Sequence, residues 1–126
     1  MSSGTVNISR AVDVLKSNLI HVARVTEWAS VMGYNNPKKF SRKFLRYHAV
    51  RPQKMLEYIR LKSIIQDLRD GNGISNFEIA RTHGIPDEKA LNKFINYHLG
   101  CPPTDVKEMS EEKIKDKLEK LGSKVR

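Results

Sequence analysis

Cysteine occurs once in the 126 residues, at Cys101, so no internal disulfide can form and no thiolate set is available to a metal. That cysteine stands beside two prolines with no general base near it in the sequence, and reads as an ordinary thiol. The histidines, His21, His48, His83 and His98, have neither ligand spacing nor an acid cluster beside them, so no metal is expected. No apolar run reaches the roughly 20 residues that cross a bilayer, and no leader with an apolar core opens the chain. The expectation is a soluble, non-secreted protein without a membrane partner. Paired carboxylates, a nucleophile with its base and a glycine-rich phosphate loop are also missing, so neither an enzyme nor a cofactor is expected. Aromatics make up only 7% of the chain. Trp28 and Tyr34 fall at helix-packing positions, which favours core over base stacking.

Acidic residues are scarce in one place. Residues 38–62 hold nine Lys or Arg and a single acid, Glu57, and this segment accounts for +8 of a net charge of +9. Residues 75–107 balance Arg81, Lys89, Lys93 and Lys107 against Glu78, Asp87, Glu88 and Asp105. A concentrated positive stretch points to a polyanion, with nucleic acid ahead of a membrane surface.

The chain also matches itself at an offset of 51 residues. Glu27 falls on Glu78, Ala29 on Ala80, Gly33 on Gly84, Phe40 on Leu91, Phe44 on Ile95 and Pro52 on Pro103, without a gap. Each copy has a short helical stretch closed by glycine, TEWASVMG and then FEIARTHG, followed by turn formers and a second helix. Thr26 is the expected N-cap of the first short helix. Asn36 with Pro37 behind it should start the next helix, and Asp87 should cap its counterpart. Two helices joined by a short glycine-containing turn make a helix-turn-helix, here twice.

At about 100° per residue, the helix from Pro37 divides into two faces. Phe40, Phe44 and Tyr47 are expected to face the core. Lys38, Lys39, Arg42, Leu45 and Arg46 face away, with Ser41 at the edge. In the second copy Leu91, Phe94, Ile95 and His98 form the inward stripe, while Lys89, Lys93 and Asn96 point out and Asn92 flanks them.

Between the copies, Pro52 to Asp70 carries Met55, Leu56, Ile59, Ile64 and Leu68 at helical spacing, with Gly71-Asn72-Gly73 as the stop. A helix of about 18 residues is about 27 Å long, in the range of the roughly 34 Å between successive major-groove faces on one side of a duplex. Ahead of the first copy, Ile8, Val12, Leu15 and Leu19 predict one helix covering the first unit. At the far end Ser110 is the expected N-cap of an amphipathic helix bearing Ile114, Leu118 and Leu121. That helix either packs back, forms a loosely held tail, or contacts a partner.

These marks together resemble the DNA-binding domain of AraC-type (AraC/XylS family) transcription regulators. The resemblance runs from about Val22 to Lys107. It rests on GYNNPKKFSRKF with Arg51-Pro52 after it, on RLKSIIQDL from Arg60 to Leu68, and on YHLGCPP at the end of the second unit. It implies an all-α fold: two homeodomain-like helix-turn-helix subdomains joined by a long linker helix, with both recognition helices in successive major grooves. Carried over by position, base-reading residues are Lys38, Ser41 and Arg42 in the first unit and Lys89, Asn92 and Lys93 in the second. The chain departs from the family pattern at four places. Ala49 stands where glycine is usual, Asn76 where an aliphatic residue is usual and Ile64 where a small one is usual, and Gly84-Ile85-Pro86 replaces glycine-phenylalanine-serine.

The expected division is a tail or expression remnant at 1–5, a first helix-turn-helix subdomain at 6–52, a linker helix at 53–70, a second subdomain at 71–107, and a C-terminal amphipathic helix or tail at 108–126. Arg42 is the leading base reader, because a guanidinium can donate twice to guanine. Lys39, Lys43, Arg46 and Lys54 are assigned to phosphates. The expected function is sequence-specific binding of double-stranded DNA by a bacterial cytoplasmic regulator acting at the nucleoid. An activating role and RNA polymerase as a second partner follow from the resemblance alone. The alternative is a protein-interaction module whose basic first unit adds non-specific DNA affinity. No residue pattern assigns an effector site or an oligomeric state.

Overall fold

The computed structural model describes residues 5–70 and 73–125, with side chains described through Leu121. Residues 1–4 of the expected tail at 1–5 and the first two residues of the Gly71-Asn72-Gly73 stop lie outside the described residues. Within them all regular structure is helical. The α-helices are α1 (Ala11–Ser17), α2 (Val25–Val31), α3 (Pro37–His48), α4 (Pro52–Asp70), α5 (Asn76–Thr82), α6 (Glu88–Leu99), α7 (Pro103–Glu108) and α8 (Glu111–Val125).

The internal repeat carries through to the backbone. The bounds of α2 recur in α5, those of α3 in α6, and the start of α4 in the start of α7, all at the offset of 51. Gly33 and Gly84 turn the chain after α2 and α5 with φ of 88° and 76°, a left-handed geometry that glycine adopts without steric cost. The next residue then donates back into the preceding helix, Tyr34 to the Ala29 carbonyl at 2.9 Å and Ile85 to the Ala80 carbonyl at 2.8 Å. Asn36 caps α3 by accepting from the Lys38 N–H, and Asp87 caps α6 by accepting from the Ala90 N–H.

Two expectations near the N-terminus are corrected. The single covering helix is broken into a 3-10 turn at Ile8–Arg10, α1, and a second 3-10 turn at Leu19–His21. Asn18 is the breaking point: it leaves helical geometry with φ of −125° and ψ of 20°, its N–H donates to the Leu15 carbonyl at 3.0 Å, and its side-chain amide donates to the Val14 carbonyl at 2.8 Å in place of that N–H. Ile8 and Val12 are consequently only half-buried, whereas Ala11, Leu15 and Leu19 enter the core. Thr26 is not the N-cap of α2. The Glu27 carboxylate accepts from the N–H groups of Ala23 (2.7 Å) and Arg24 (2.9 Å), so the helix starts at Val25 and Thr26 lies inside it. These bonds favour the ionised carboxylate and hold its pKa below the usual value.

The apolar residues form two clusters. In the first, Trp28 meets Phe40 and Phe44 edge-on at 5.3 and 4.9 Å, and its indole N–H donates to the Ala11 carbonyl at 3.0 Å. Each edge-to-face pair adds about 0.5–1.5 kcal/mol beyond its buried area. The second gathers Ile64, Ile65 and Leu68 of α4 with Ile79, Leu91 and Ile95 of α5 and α6. Helix α4 serves both: Leu56 and Ile59 belong to the first cluster, and Leu61 onward to the second. Its apolar positions therefore run around the helix instead of forming one stripe. At 19 residues it is about 28 Å long.

The C-terminal helix packs back. Ser110 caps it, accepting from the Lys113 N–H at 3.2 Å. Ile114 is buried in the second cluster, Leu118 and Leu121 pack against that cluster, and Lys117 donates to the Leu99 carbonyl at 3.1 Å. Arg69 of α4 reaches across to the Val106 carbonyl at 3.0 Å and to that of Met109, tying α7 to the linker helix.

Candidate nucleic-acid interface

The outer face of α3 follows from its inner one. Phe40 and Phe44 are fully buried, which commits the opposite side of the helix to solvent. Lys38, Lys39, Arg42, Lys43 and Arg46 are all exposed there, and Ser41 is half-buried at the edge. No acid occurs in α3, and among the described residues no carboxylate comes within ion-pair distance of these cations. Leu45, 46% exposed, lies among them. Lys43 places its ammonium 5.8 Å from the Tyr34 ring centroid, steadying one flank of the face.

Tyr47 is a correction. The helical wheel assigns it to the core, yet it is 58% exposed, while His48 turns inward against Phe44 with ring centroids 4.3 Å apart. The cause is the cover over this end of α3. The Ile8–Arg10 turn lies on the His48 side, where the Ile8 carbonyl is 3.0 Å from the His48 ring nitrogen Nε2. Trp28 and Tyr34 are buried, as expected of core residues.

On α6, Lys89, Asn92 and Lys93 are exposed together, with Leu91, Ile95 and Leu99 buried behind them. Phe94 and His98 are half-buried beside that stripe. The face is more sparsely basic than that of α3. Glu88 stands exposed next to Lys89, and Asp87 is engaged as the cap. Asn96 donates its amide to the Asn92 carbonyl at 2.8 Å, so it serves the helix backbone. Lys54, in the first turn of α4, is exposed. The structure thus gathers Lys38, Ser41 and Arg42 with Lys39, Lys43 and Arg46 on one helix, and Lys89, Asn92 and Lys93 on its repeat.

One cation of the basic run does not belong to a surface. Arg60 is buried, and its guanidinium donates to the carbonyls of Leu19, Val22 and His83. Burial pushes its pKa down, with Glu27 pulling weakly the other way. In the sequence it looks like any other arginine of residues 38–62. The one hint is its place between Ile59 and Leu61, where an exposed residue would interrupt two apolar neighbours.

No protein-family model matches the chain, and no curated protein sequence does. Among solved structures it is similar to the crystal structure of a DNA-binding transcriptional dual regulator from Escherichia coli K-12. The two share 19% identity and a TM-score of 0.65, over 86% of this chain and 95% of that one. With all its described regular structure helical, the chain shares the fold of that structure: two helix-turn-helix repeats with a long helix between them.

Proposed function

We propose that this chain is a sequence-specific double-stranded DNA-binding transcription regulator that lays α3 and α6 into successive major grooves. The observation that carries the reading is the outer face of α3: five exposed cations and no acid, on a helix whose other side is locked into a core. Such a helix presents charge to phosphates and side chains to base edges at once. Arg42 reads a guanine through two hydrogen bonds, with Lys38 and Ser41 beside it, while Lys39, Lys43, Arg46 and Lys54 take phosphates. On α6, Lys89, Asn92 and Lys93 fill the same places, with Asn92 suited to adenine. The division into two reading subdomains with α4 as linker rests on the repeat and on the two apolar clusters. The similarity to a DNA-binding regulator supports the partner class. The AraC-type assignment, a bacterial cytoplasmic setting, the activating direction and a contact with RNA polymerase rest on the sequence resemblance.

The test is selection of binding sites from a random duplex library at about 150 mM salt, followed by a salt titration of the enriched site. Two enriched blocks about one helical turn apart are expected. One block alone would confine reading to the first unit. Affinity that falls alike for every sequence as salt rises would instead favour an interaction module with non-specific DNA affinity.

A further inference from the structure

Arg60 occupies the turn of α4 where the first apolar cluster, ending at Ile59, gives way to the second, beginning at Leu61. It is 7% exposed. A buried guanidinium is tolerated only when its donors are satisfied, and among the described residues no carboxylate lies within ion-pair distance of it. Main-chain carbonyls from both units accept from its Nε and Nη2 instead. Nε donates to the His83 carbonyl at 2.9 Å, in the turn between α5 and α6. Nη2 donates to the carbonyls of Leu19, at 3.4 Å, and of Val22, in the segment that precedes α2.

The surroundings reinforce this bridge. The His83 ring is held to α4 by the Ser63 hydroxyl at 2.8 Å and by Asp67 at 3.4 Å, and lies 2.8 Å from the Ile79 carbonyl. A Cβ on Gly84 would come to 3.4 Å from the Ile20 carbonyl oxygen and 3.8 Å from Arg60 Nη2, so the turn of the second repeat closely approaches the backbone of the segment that precedes α2. A lysine has one ammonium on a flexible stem and lacks the planar fork that reaches carbonyls on two sides.

We propose that Arg60 is a positioning residue that clamps the turn leading into α6 to the Leu19 to Val22 segment of the first unit, so that α3 and α6 hold one separation and one angle. The consequence for DNA rests on the function proposed above; the clamp itself does not. A protein held this way accepts one spacing between its two sequence blocks, because one added base pair rotates the second block by about 35° around the duplex.

The experiment uses the whole chain in a Cys101→Ser background, with nitroxide labels on Ser30→Cys and Arg81→Cys, both exposed and outside the proposed DNA face. The parent is expected to give one narrow label-to-label distance distribution. Arg60→Met, which keeps an unbranched stem and removes every donor, is expected to broaden it roughly twofold, with Arg60→Lys in between. A folded Arg60→Met with a distribution as narrow as the parent's overturns the clamp. If that variant does not fold, Arg60→Lys decides by the same criterion. In the second arm the parent is expected to lose roughly tenfold or more in affinity for a selected site lengthened by one base pair. Arg60→Met should bind both spacings within about threefold of each other, and each more weakly than the parent binds its own. Unchanged spacing selectivity in Arg60→Met counts against the clamp. Absence of any two-block site counts against the DNA reading, and leaves the distance measurement to decide the clamp.

Discussion

Replacing Ala49 with glycine is expected to stabilise the chain by about 0.5–1 kcal/mol. Ala49 follows α3 with φ of 59° and ψ of 26°, and is the one non-glycine with positive φ among the described residues. An L-residue in that region loses roughly 1–2 kcal/mol to the approach of Cβ and the carbonyl oxygen. Glycine relieves this but adds unfolded-state freedom amounting to about 0.4–1 kcal/mol, which leaves a modest net gain. No packing should be lost, because Ala49 is exposed, and its N–H keeps its 2.9 Å bond to the Leu45 carbonyl. The repeat supplies the control. Gly100 holds the matching place after α6 with φ of 73°, and a Cβ there would meet nothing within 4 Å. Gly100→Ala therefore introduces the strain alone, and should lose about what Ala49→Gly gains. Urea unfolding followed by helical circular dichroism would read both changes, each equivalent to a few degrees in Tm, on the order of 2–5 °C. Ala49→Gly leaving stability unchanged or lowering it, while Gly100→Ala is neutral, would refute the strain argument.

The two recognition helices should differ in what they contribute. Arg42→Ala is expected to lower affinity for the selected site by about 1–3 kcal/mol and to relax selectivity at one base pair, and Lys93→Ala to lose clearly less; equal losses in competition binding would contradict the asymmetry between the two faces. Asn76 has its Oδ1 buried without a hydrogen-bond partner among the described residues, so Asn76→Leu should raise unfolding free energy by about 1–2 kcal/mol in urea. A fall in stability would mean that the amide is satisfied in solution. His98 is half-buried with its ring 4.6 Å from that of Phe94, and burial pushes its pKa below the ordinary value, with Glu57 opposing and Lys54 assisting. A folded pKa below the unfolded one favours the neutral ring in the native state. Its contribution is therefore complete above about pH 6.5 and is lost as pH falls through the folded value. Urea midpoints measured between about pH 7.5 and 5 should decline in the parent and decline less in His98→Gln; identical slopes would remove His98 from the account.

Local features were legible where local chemistry decides. Asn36 with Pro37, Asp87 and Ser110 act as caps in the structure because capping needs only a side-chain acceptor and the next few N–H groups. Thr26 fails because Glu27 accepts from the Ala23 and Arg24 N–H groups, which sets the N-cap at Arg24 and leaves Thr26 inside the first turn. The wheel of α3 identifies Phe40, Phe44 and the exposed cations, then errs at Tyr47, where the inward side depends on which segment lies over the helix end. Arg60 was all but hidden in the sequence for a stronger reason. Its partners are carbonyls 23 to 41 residues away, and carbonyls carry no side-chain signature.

By itself, the sequence determined the repeat, the helical class, the basic outer face of α3 and the sparser one of α6, because periodicity, capping and charge act over a few residues. Tertiary structure decided that α4 turns different faces to two apolar clusters, that α8 returns to the second cluster, and that one arginine of the basic run faces inward. Those outcomes depend on which surfaces meet across the whole chain, where burying apolar area and satisfying every buried donor outweigh the pattern of any single helix.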